Sequence, residues 1–325
     1  MELSVIIPIY NVVPFLKKAV EDLANQTFLR NRNDTMEIIL VNDASTDSSL
    51  ALAEDLRKQN RNLIRIIDLP ENHGPGGARN YGIEAAKGDY IGFMDADDRI
   101  DSGMYEKLMK AARESGQKDY ADCGVFNEAD QTTRCYSAVT EPGILDDRKK
   151  SQLLLAVGYI WSRVYRRAFL INNGIRFREH AVMEDQDFLS EVIARARSMA
   201  MVPEVLYRYS DIPGSASKKD AEVEFFHSTI ETIQATYAKL SVLDNYKGIQ
   251  MAVEYNSWQL YLMNVQTIKA YYEAGIIDSN IRVEMLTIIG KMMAKTIKIR
   301  AEDNQFVVKK IQFEDIDLIK QIMGM

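Results

Sequence analysis

The segment Tyr90-Ile91-Gly92-Phe93-Met94-Asp95-Ala96-Asp97-Asp98 joins a short apolar run to a cluster of carboxylates. Such an uncharged run is typical of a strand that is buried on both faces of a sheet. Asp95 and Asp97 follow it at once and flank one small residue, so both side chains can face the same open space. Mg²⁺ and Mn²⁺ take oxygen ligands and are commonly held by one or two carboxylates together with phosphate oxygens. The segment therefore predicts a buried strand that ends in a candidate metal site.

Three more apolar runs precede this segment, at residues 3–9, 37–41 and 63–69, and stretches with helical spacing separate them. The order β-α-β-α-β-α-β predicts an α/β fold with a mainly parallel sheet that is flanked by helices. Such sheets bind ligands at the carboxyl ends of their strands. That position favours a binding site over the alternative for the acidic cluster, a solvated loop. It also brings Asp43, which follows the second run, to the same edge of the sheet.

Two features near this edge could bind a ligand. The carboxylate of Asp43 could accept a hydrogen bond from a nucleobase, although Asp at such a position also commonly caps the following helix. The turn His73-Gly74-Pro75-Gly76-Gly77 enters a predicted helix that carries Arg79. Glycines allow close backbone approach, and a helix N-terminus favours anions. The turn is not the dinucleotide fingerprint, which should follow the first strand.

A second acidic pair, Glu184-Asp185, opens a predicted helix. Asp185 could act as a general base towards a reacting hydroxyl, or it could simply stabilise the helix N-terminus. The tripeptide Asp185-Gln186-Asp187 repeats the Asp-x-Asp spacing, but the residues that follow it have the spacing of a helix face, so it is not expected at a strand end. The segment 161–167, with Trp161 and Arg163, is either a substrate-facing element or an amphipathic element with a basic face.

Charge and composition exclude several classes of protein. The net charge of −7 argues against nucleic acid as the main partner. Three histidines, His73, His180 and His227, are too scattered for a zinc motif such as His-Glu-x-x-His. The start of the chain has no basic segment, and Pro8 interrupts its apolar run, unlike a secretory signal. Because no stretch approaches the roughly 20 apolar residues of a membrane span, we expect a cytoplasmic protein.

The apolar pattern changes near residue 220. We predict an α/β domain over residues 1–220 and a helical C-terminal extension over residues 221–325, where proline is absent and apolar residues recur at three- and four-residue spacing. Basic residues among methionines and isoleucines near residue 295 suggest either a peripheral contact with the inner face of the plasma membrane or an ordinary solvated helix face. The extension could also build a homodimer.

Four segments, in this order, resemble the bacterial-type inverting glycosyltransferases of family 2 with the GT-A fold. They are Ser4–Asn11, Glu37–Asp47, Asn72–Gly82 and Gly88–Asp98. A weaker resemblance continues at Met183-Glu184-Asp185. Two positions depart from the family pattern, since Asn42 stands where an Asp is usual and Ala44 where Gly is common.

The resemblance implies a metal-dependent enzyme that transfers a sugar with inversion. The donor would be a nucleotide-sugar, with UDP expected, and the acceptor a hydroxyl of a glycan or lipid-linked sugar in surface polysaccharide synthesis. The cofactor would be Mn²⁺ or Mg²⁺. By position, the resemblance implies Pro8, Tyr10, Asp43, Arg79 and Asp95 for the donor nucleotide, Asp97 with Asp95 for the metal, Asp185 as the catalytic base, and Glu184, Trp161, Arg163 and Ser215 as substrate contacts.

Three other functions remain open at this point. A nucleotidylyltransferase of related fold should carry a glycine-rich loop with Arg or Lys after its first strand, and this chain has Pro8-Ile9-Tyr10-Asn11 there. A phosphohydrolase with an Asp nucleophile should place Asp-x-Asp after its first strand and not after its fourth. A non-catalytic module that binds nucleotide-sugars would keep every donor residue and would need no base.

Overall fold

The computed structural model describes residues 1–30, 35–211 and 223–323. The chain divides into two compact units, of which the first comprises Met1–Asp146 and Ala156–Lys219 and the second Asp147–Leu155 and Asp220–Met325. The short segment Asp147–Leu155 thus belongs with the C-terminal residues, which no sequence pattern indicated. The assignment of a catalytic domain to residues 1–220 and of an extension to residues 221–325 stays a prediction.

The strands of the first unit form one sheet. They are β1 Leu3–Ile9, β2 Met36–Asn42, β3 Ile64–Asp68, β4 Tyr90–Phe93, β5 Arg99–Ile100, β6 Tyr120–Asn127, β7 Thr132–Arg134, β8 Gly143–Ile144, β9 Arg163–Arg166 and β10 Ser198–Tyr209. The strand order is β3-β2-β1-β4-β9-β6-β10-β5, with β7 beside β6 and β8 beside β10. The pairs among β3, β2, β1 and β4 are parallel, whereas β9 runs antiparallel to both neighbours. The predicted α/β fold with a mainly parallel sheet is confirmed.

Helices of the first unit cover this sheet. They are α1 Val13–Ala24, α2 Ser49–Gln59, α3 Gly74–Ala85, α4 Met104–Arg113 and, after α5 of the second unit (Asp147–Leu154), α6 Arg167–Asn172 and α7 Glu184–Arg195. Their apolar spacing explains the packing, since α1 buries Leu16, Ala19, Val20 and Leu23 on one face. Helix α3 begins at Gly74, so the glycine-rich segment predicted as a turn forms the first turn of the helix itself.

The second unit is helical in its described residues, as predicted. Besides α5 it contains α8 Val223–Leu240, α9 Tyr246–Glu273, α10 Ser279–Thr296, α11 Gln305–Lys310 and α12 Phe313–Met323. Its core includes Met292 and Met293, so the apolar face of α10 is buried, while Lys291 and Lys295 are exposed. This is the pattern of an ordinary solvated helix face, and a membrane contact stays a prediction that the burial does not favour. Within the described ranges, no helix is long and apolar enough to span a membrane.

Candidate active site

The carboxyl ends of the four parallel strands bring the predicted donor residues to one edge. Ile9 at the end of β1 pairs in register with Asn42 of β2, which pairs with Asp68 of β3. The backbone N–H of Asp43 donates to the carbonyl of Ile9 (2.9 Å). Tyr10 is half exposed beside this bond. The topology therefore places a partly exposed ring and a carboxylate where ligands of parallel sheets bind.

Asp43 fastens the loop before α3 to the end of β2. Its Oδ1 accepts a hydrogen bond from the backbone N–H of His73 (2.7 Å), and its carbonyl accepts from Asn72 Nδ2 (3.1 Å). Burial raises the pKa of Asp43, although the N–H groups of His73 and Gly74 oppose the shift. The carboxylate does not cap α2, because Asp47 accepts from the N–H of Ser49 there. A role for Asp43 in binding a base stays a prediction.

The two departures from the family pattern differ in their local structure. Asn42 Nδ2 donates to Asp68 Oδ1 (2.7 Å), a bond that an Asp at position 42 could not make when ionised. Ala44 has a φ of +56°, in the left-handed region that glycine adopts without steric cost. This backbone conformation agrees with the family preference for Gly at position 44, and this chain adopts it with Ala.

Arg79 joins the loop after β4 to the start of α7. Its Nη2 donates to Asp95 Oδ1 (2.8 Å) and its Nη1 to Glu184 Oε1 (2.6 Å). The guanidinium is buried and lies 5.6 Å from the ring centroid of Phe177. Burial alone would lower the pKa of Arg79, but the carboxylates of Asp95 and Glu184 raise it. Arg79 is therefore a fixed cation between two acidic segments that lie far apart in the sequence.

The acidic cluster after β4 has two kinds of member. Asp95 and Asp97 are partly exposed, and burial followed by the charge of Asp95 raises the pKa of Asp97. Asp98 is buried and accepts hydrogen bonds from the Tyr207 hydroxyl (2.7 Å) and from the N–H of Ser210 (2.9 Å). The Tyr207 oxygen also accepts from the N–H of Asp95 (3.3 Å). Asp98 and Tyr207 thus hold the loop that presents the other two carboxylates.

The residues present fit a divalent cation. Asp95 and Asp97 provide oxygen ligands with a surplus of negative charge, and Arg79 contacts only the first of them in the described residues. A bound cation would relieve the repulsion that raises the pKa of Asp97. Sequence reasoning found the pair and the acid next to it, Asp98, but it did not predict that the Tyr207 hydroxyl binds Asp98.

Helix α7 presents the second acidic pair. Met183 precedes it with a φ of +59°, and Glu184, buried against Arg79, begins the helix. Burial, reinforced by the charge of Glu184, raises the pKa of Asp185 to about 7. A carboxylate with a pKa near neutrality suits a general base. The other acid, Asp187, is fully buried and accepts from Arg178 Nε (2.8 Å), so the second Asp-x-Asp is part of a helix, as the sequence predicted.

The remaining predicted substrate contacts differ in position. Trp161 stacks between Tyr159 and Tyr207, with centroid distances of 4.3 and 4.0 Å. The side chain of Arg163 is 0% exposed and pairs with Asp122 (3.3 Å), a burial that does not favour direct substrate contact. Ser215 lies outside the described residues. None of these roles is tested by the geometry alone, and they stay predictions.

A parallel sheet with an acidic carboxyl edge is the architecture of the GT-A glycosyltransferases, which commonly use divalent metals. The chain belongs to Glycosyl transferase family 2, whose sequence profile matches residues 4–172. It is 33% identical to glycosyltransferase EpsJ of Bacillus subtilis over 75% of this chain and 70% of that protein. It is also 27% identical to the minor teichoic acid biosynthesis protein GgaB of B. subtilis over 90% of this chain and 32% of that protein. The protein is therefore a glycosyltransferase.

Solved structures show the same fold. Staphylococcus aureus TarS 1–349 in complex with UDP-GlcNAc superposes with a TM-score of 0.75 at 19% identity, covering 100% of this chain and 91% of that one. The mannosyltransferase PcManGT of Pyrobaculum calidifontis, in complex with GDP-Man and Mn²⁺, gives a TM-score of 0.55 at 14% identity. The match covers 99% of this chain and 87% of that one. At these identities the likeness shows the fold alone.

Proposed function

We propose that the protein transfers a sugar with inversion from a UDP-sugar to a hydroxyl of a surface glycan or lipid-linked sugar, with Mn²⁺ or Mg²⁺ on Asp97 and Asp95. The observation that carries the proposal is the position of Arg79. By binding Asp95 and Glu184 at once, it brings the carboxylates after β4 beside the start of α7, which carries Asp185. The reaction needs the donor diphosphate and the general base for the acceptor hydroxyl at one reaction centre.

Donor binding rests on the carboxyl edge of the sheet. Asp43 would accept from a ring N–H of the base, while Pro8 and Tyr10 would line the nucleoside pocket. The uridine donor is supported by TarS, which has UDP-GlcNAc bound. Mn²⁺ is supported by PcManGT, where it accompanies GDP-Man. When bound, the cation would neutralise the diphosphate as its bond to the sugar breaks.

Proton transfer falls to Asp185. Its carboxylate would take the proton of the acceptor hydroxyl while that oxygen attacks the anomeric carbon and the bond from that carbon to the diphosphate breaks. Arg79 holds Glu184, and thereby the start of α7. In this proposal that contact orients Asp185 towards the acceptor. A base whose pKa is about 7 is ionised in half of the molecules at neutral pH.

The relatives support the proposed acceptor class. GgaB is a teichoic acid biosynthesis protein, and its similarity to this chain extends over 90% of the chain. We therefore propose a polymer or lipid-linked acceptor that is glycosylated in the cytoplasm or at the inner face of the plasma membrane. Glu184, Trp161, Arg163 and Ser215 remain proposed substrate contacts, and the second unit is proposed to build a homodimer.

Calorimetric titration tests the donor site. UDP and GDP would each be titrated with and without Mn²⁺ into wild type, the double variant Asp95→Ala/Asp97→Ala, and Asp55→Ala. Asp55 is an exposed residue of α2 and serves as the matched control. We expect UDP binding that depends on Mn²⁺, is lost in the double variant and is unchanged in the control.

Asp185→Asn separates an enzyme from a binding module. The variant should bind UDP as wild type does and lose turnover. Metal-independent binding of both nucleotides by folded wild type would contradict the metal assignment. Tight binding of GDP in place of UDP would contradict the uridine donor.

A further inference from the structure

Two histidines that are far apart in the sequence lie together beside the start of α3. One ligand atom from each of His73, Glu179 and His180 lies within 4.8 Å of the others. His73 Nδ1 is 3.3 Å from Glu179 Oε2, and the two imidazole rings stack with centroids 5.8 Å apart. The backbone N–H of His180 donates to the carbonyl of His73 (3.0 Å). The cluster is thus held by its backbone as well as by its side chains.

The surrounding backbone leaves room for the cluster. A Cβ on Gly77 would lie 2.5 Å from His73 Cβ and 3.3 Å from Glu179 Cγ, so a side chain there would push the two residues apart. His180 has a φ of +50°, in the left-handed region that residues other than glycine adopt infrequently. Such conformations concentrate at functional positions.

We propose that His73, Glu179 and His180 form a binding site for a transition-metal ion, with Zn²⁺ as the best fit, separate from the Asp95–Asp97 pair. Two imidazoles and one carboxylate are typical zinc ligands, whereas Mg²⁺ and Mn²⁺ favour sites made of oxygen alone. A tetrahedral zinc with bonds of about 2.0–2.1 Å holds its ligands roughly 3.4 Å apart. Glu179 and His180 are exposed, so small rotations of their side chains can close the difference.

Glu71 completes the arrangement around His73. Its Oε1 lies 3.9 Å from His73 Nε2, whereas His73 Nδ1 faces Glu179. An imidazole that binds a metal through one nitrogen usually donates from the other to a carboxylate or carbonyl. The separation is longer than a hydrogen bond, so the exposed side chain of Glu71 would fix the tautomer of His73 only after moving closer. Water can fill the fourth position on the metal.

An ion at this site would act on the loop that reaches the sheet edge. The N–H of His73 donates to Asp43 Oδ1, so an ion that immobilises His73 also immobilises the partner of Asp43. This consequence rests on the proposed donor site. The metal site itself does not, because its test uses metal without nucleotide.

Titration of the full chain with Zn²⁺ alone tests the site, together with the visible absorption of bound Co²⁺. Wild type should bind one Zn²⁺ ion tightly at this site, and His180→Asn and Glu179→Gln should each bind it at least about tenfold more weakly. Asn tolerates the left-handed backbone, so His180→Asn retains the local conformation. His227→Asn is the matched control because His227 is exposed on α8, and it should bind as wild type does.

Asp97→Ala distinguishes this site from the donor metal site and should retain the tight Zn²⁺ site. Circular dichroism would verify that each variant is folded. Equal Zn²⁺ affinity in wild type, His180→Asn and Glu179→Gln would overturn the proposal. Loss of the tight site in Asp97→Ala, or no binding to wild type below about millimolar Zn²⁺, would overturn it as well.

Discussion

Arg79 Nη2 donates a 2.8 Å hydrogen bond to Asp95 Oδ1, and this bond ties a helix near the sheet edge to the end of β4. The same guanidinium binds Glu184 with its other terminal nitrogen. The side chains of Arg79 and Glu184 are only 6% and 11% exposed, so this pair is shielded from water, whereas that of Asp95 is 29% exposed. Arg79 therefore stabilises the fold and positions both acidic segments.

Replacing Arg79 by an uncharged residue should lower the free energy of unfolding. Arg79→Met retains most of the volume but leaves Glu184 as a buried carboxylate without its partner, and we expect a loss of about 3–5 kcal/mol in the free energy of unfolding. Urea denaturation would measure it. Arg57→Met is the control, since the exposed pair of Arg57 and Glu54 should contribute about 0.5 kcal/mol or less. Similar losses in both variants would contradict the role of Arg79.

The activity of the enzyme should rise with pH through about 7. Only the ionised form of Asp185 can accept a proton, and its pKa is raised to about 7. The pH profile of kcat/KM would show the transition, and Asp185→Asn should lower kcat by about 10²–10⁴-fold. A flat profile between pH 5 and 8, in the range where the chain stays folded, would argue against Asp185 as the base.

The contribution of Asp185 to the free energy of unfolding should decrease as pH rises, whereas the activity should increase. The pKa of Asp185 is higher in the folded chain than in the unfolded chain, so its contribution is intact below the unfolded value and is lost as pH rises through the folded value. Asp185→Asn should therefore be more stable than wild type above pH 7, by up to roughly 4 kcal/mol, and equally stable near pH 4. Asp187→Asn is the contrast, because it removes the partner of Arg178 and should destabilise at pH 7.

The Tyr207 hydroxyl should matter to the acidic loop. Tyr207→Phe removes the donor to the buried Asp98 and should cost about 1–3 kcal/mol of unfolding free energy, with weaker Mn²⁺-dependent UDP binding. Tyr105→Phe is the matched control. The Tyr105 hydroxyl is buried, and among the residues of the described ranges it has no hydrogen-bond partner, so its loss should be neutral or stabilising. A neutral Tyr207→Phe would contradict this account of the loop.

Asn42 should resist reversion to the Asp that is usual in the family. Asn42→Asp would set two carboxylates within hydrogen-bonding distance and should destabilise the chain by about 1–2 kcal/mol at pH 7. Lowering the pH towards 4 should reduce the loss, since one shared proton restores the bond. The double variant Asn42→Asp/Asp68→Asn, which restores a donor opposite a carboxylate, should recover most of the stability at pH 7. No recovery would mean that the pair is not the cause.

The local pattern of residues was sufficient to predict the sheet and its acidic edge. Apolar runs such as Leu3–Ile9 and Tyr90–Phe93 predict buried strands by themselves, and the order of strands and helices predicts parallel pairing. Parallel pairing then places Asp43, Asp95 and Asp97 at the same edge without any knowledge of side-chain contacts. The start of α7 at Glu184 was equally visible, because helical spacing is a local property.

Contacts between distant segments were decided by the tertiary structure alone. Nothing in the sequence pairs Arg79 with Glu184, buries Arg163 against Asp122, or brings His73 to His180. The physical reason is that periodicity reports which face of one element is buried, whereas these contacts depend on which loops converge once the sheet has formed. The sequence by itself therefore determined the parallel strands and the edge at which a ligand site is proposed, because both depend on local pattern. The packing of distant loops determined which charges at that edge are paired and which stay available.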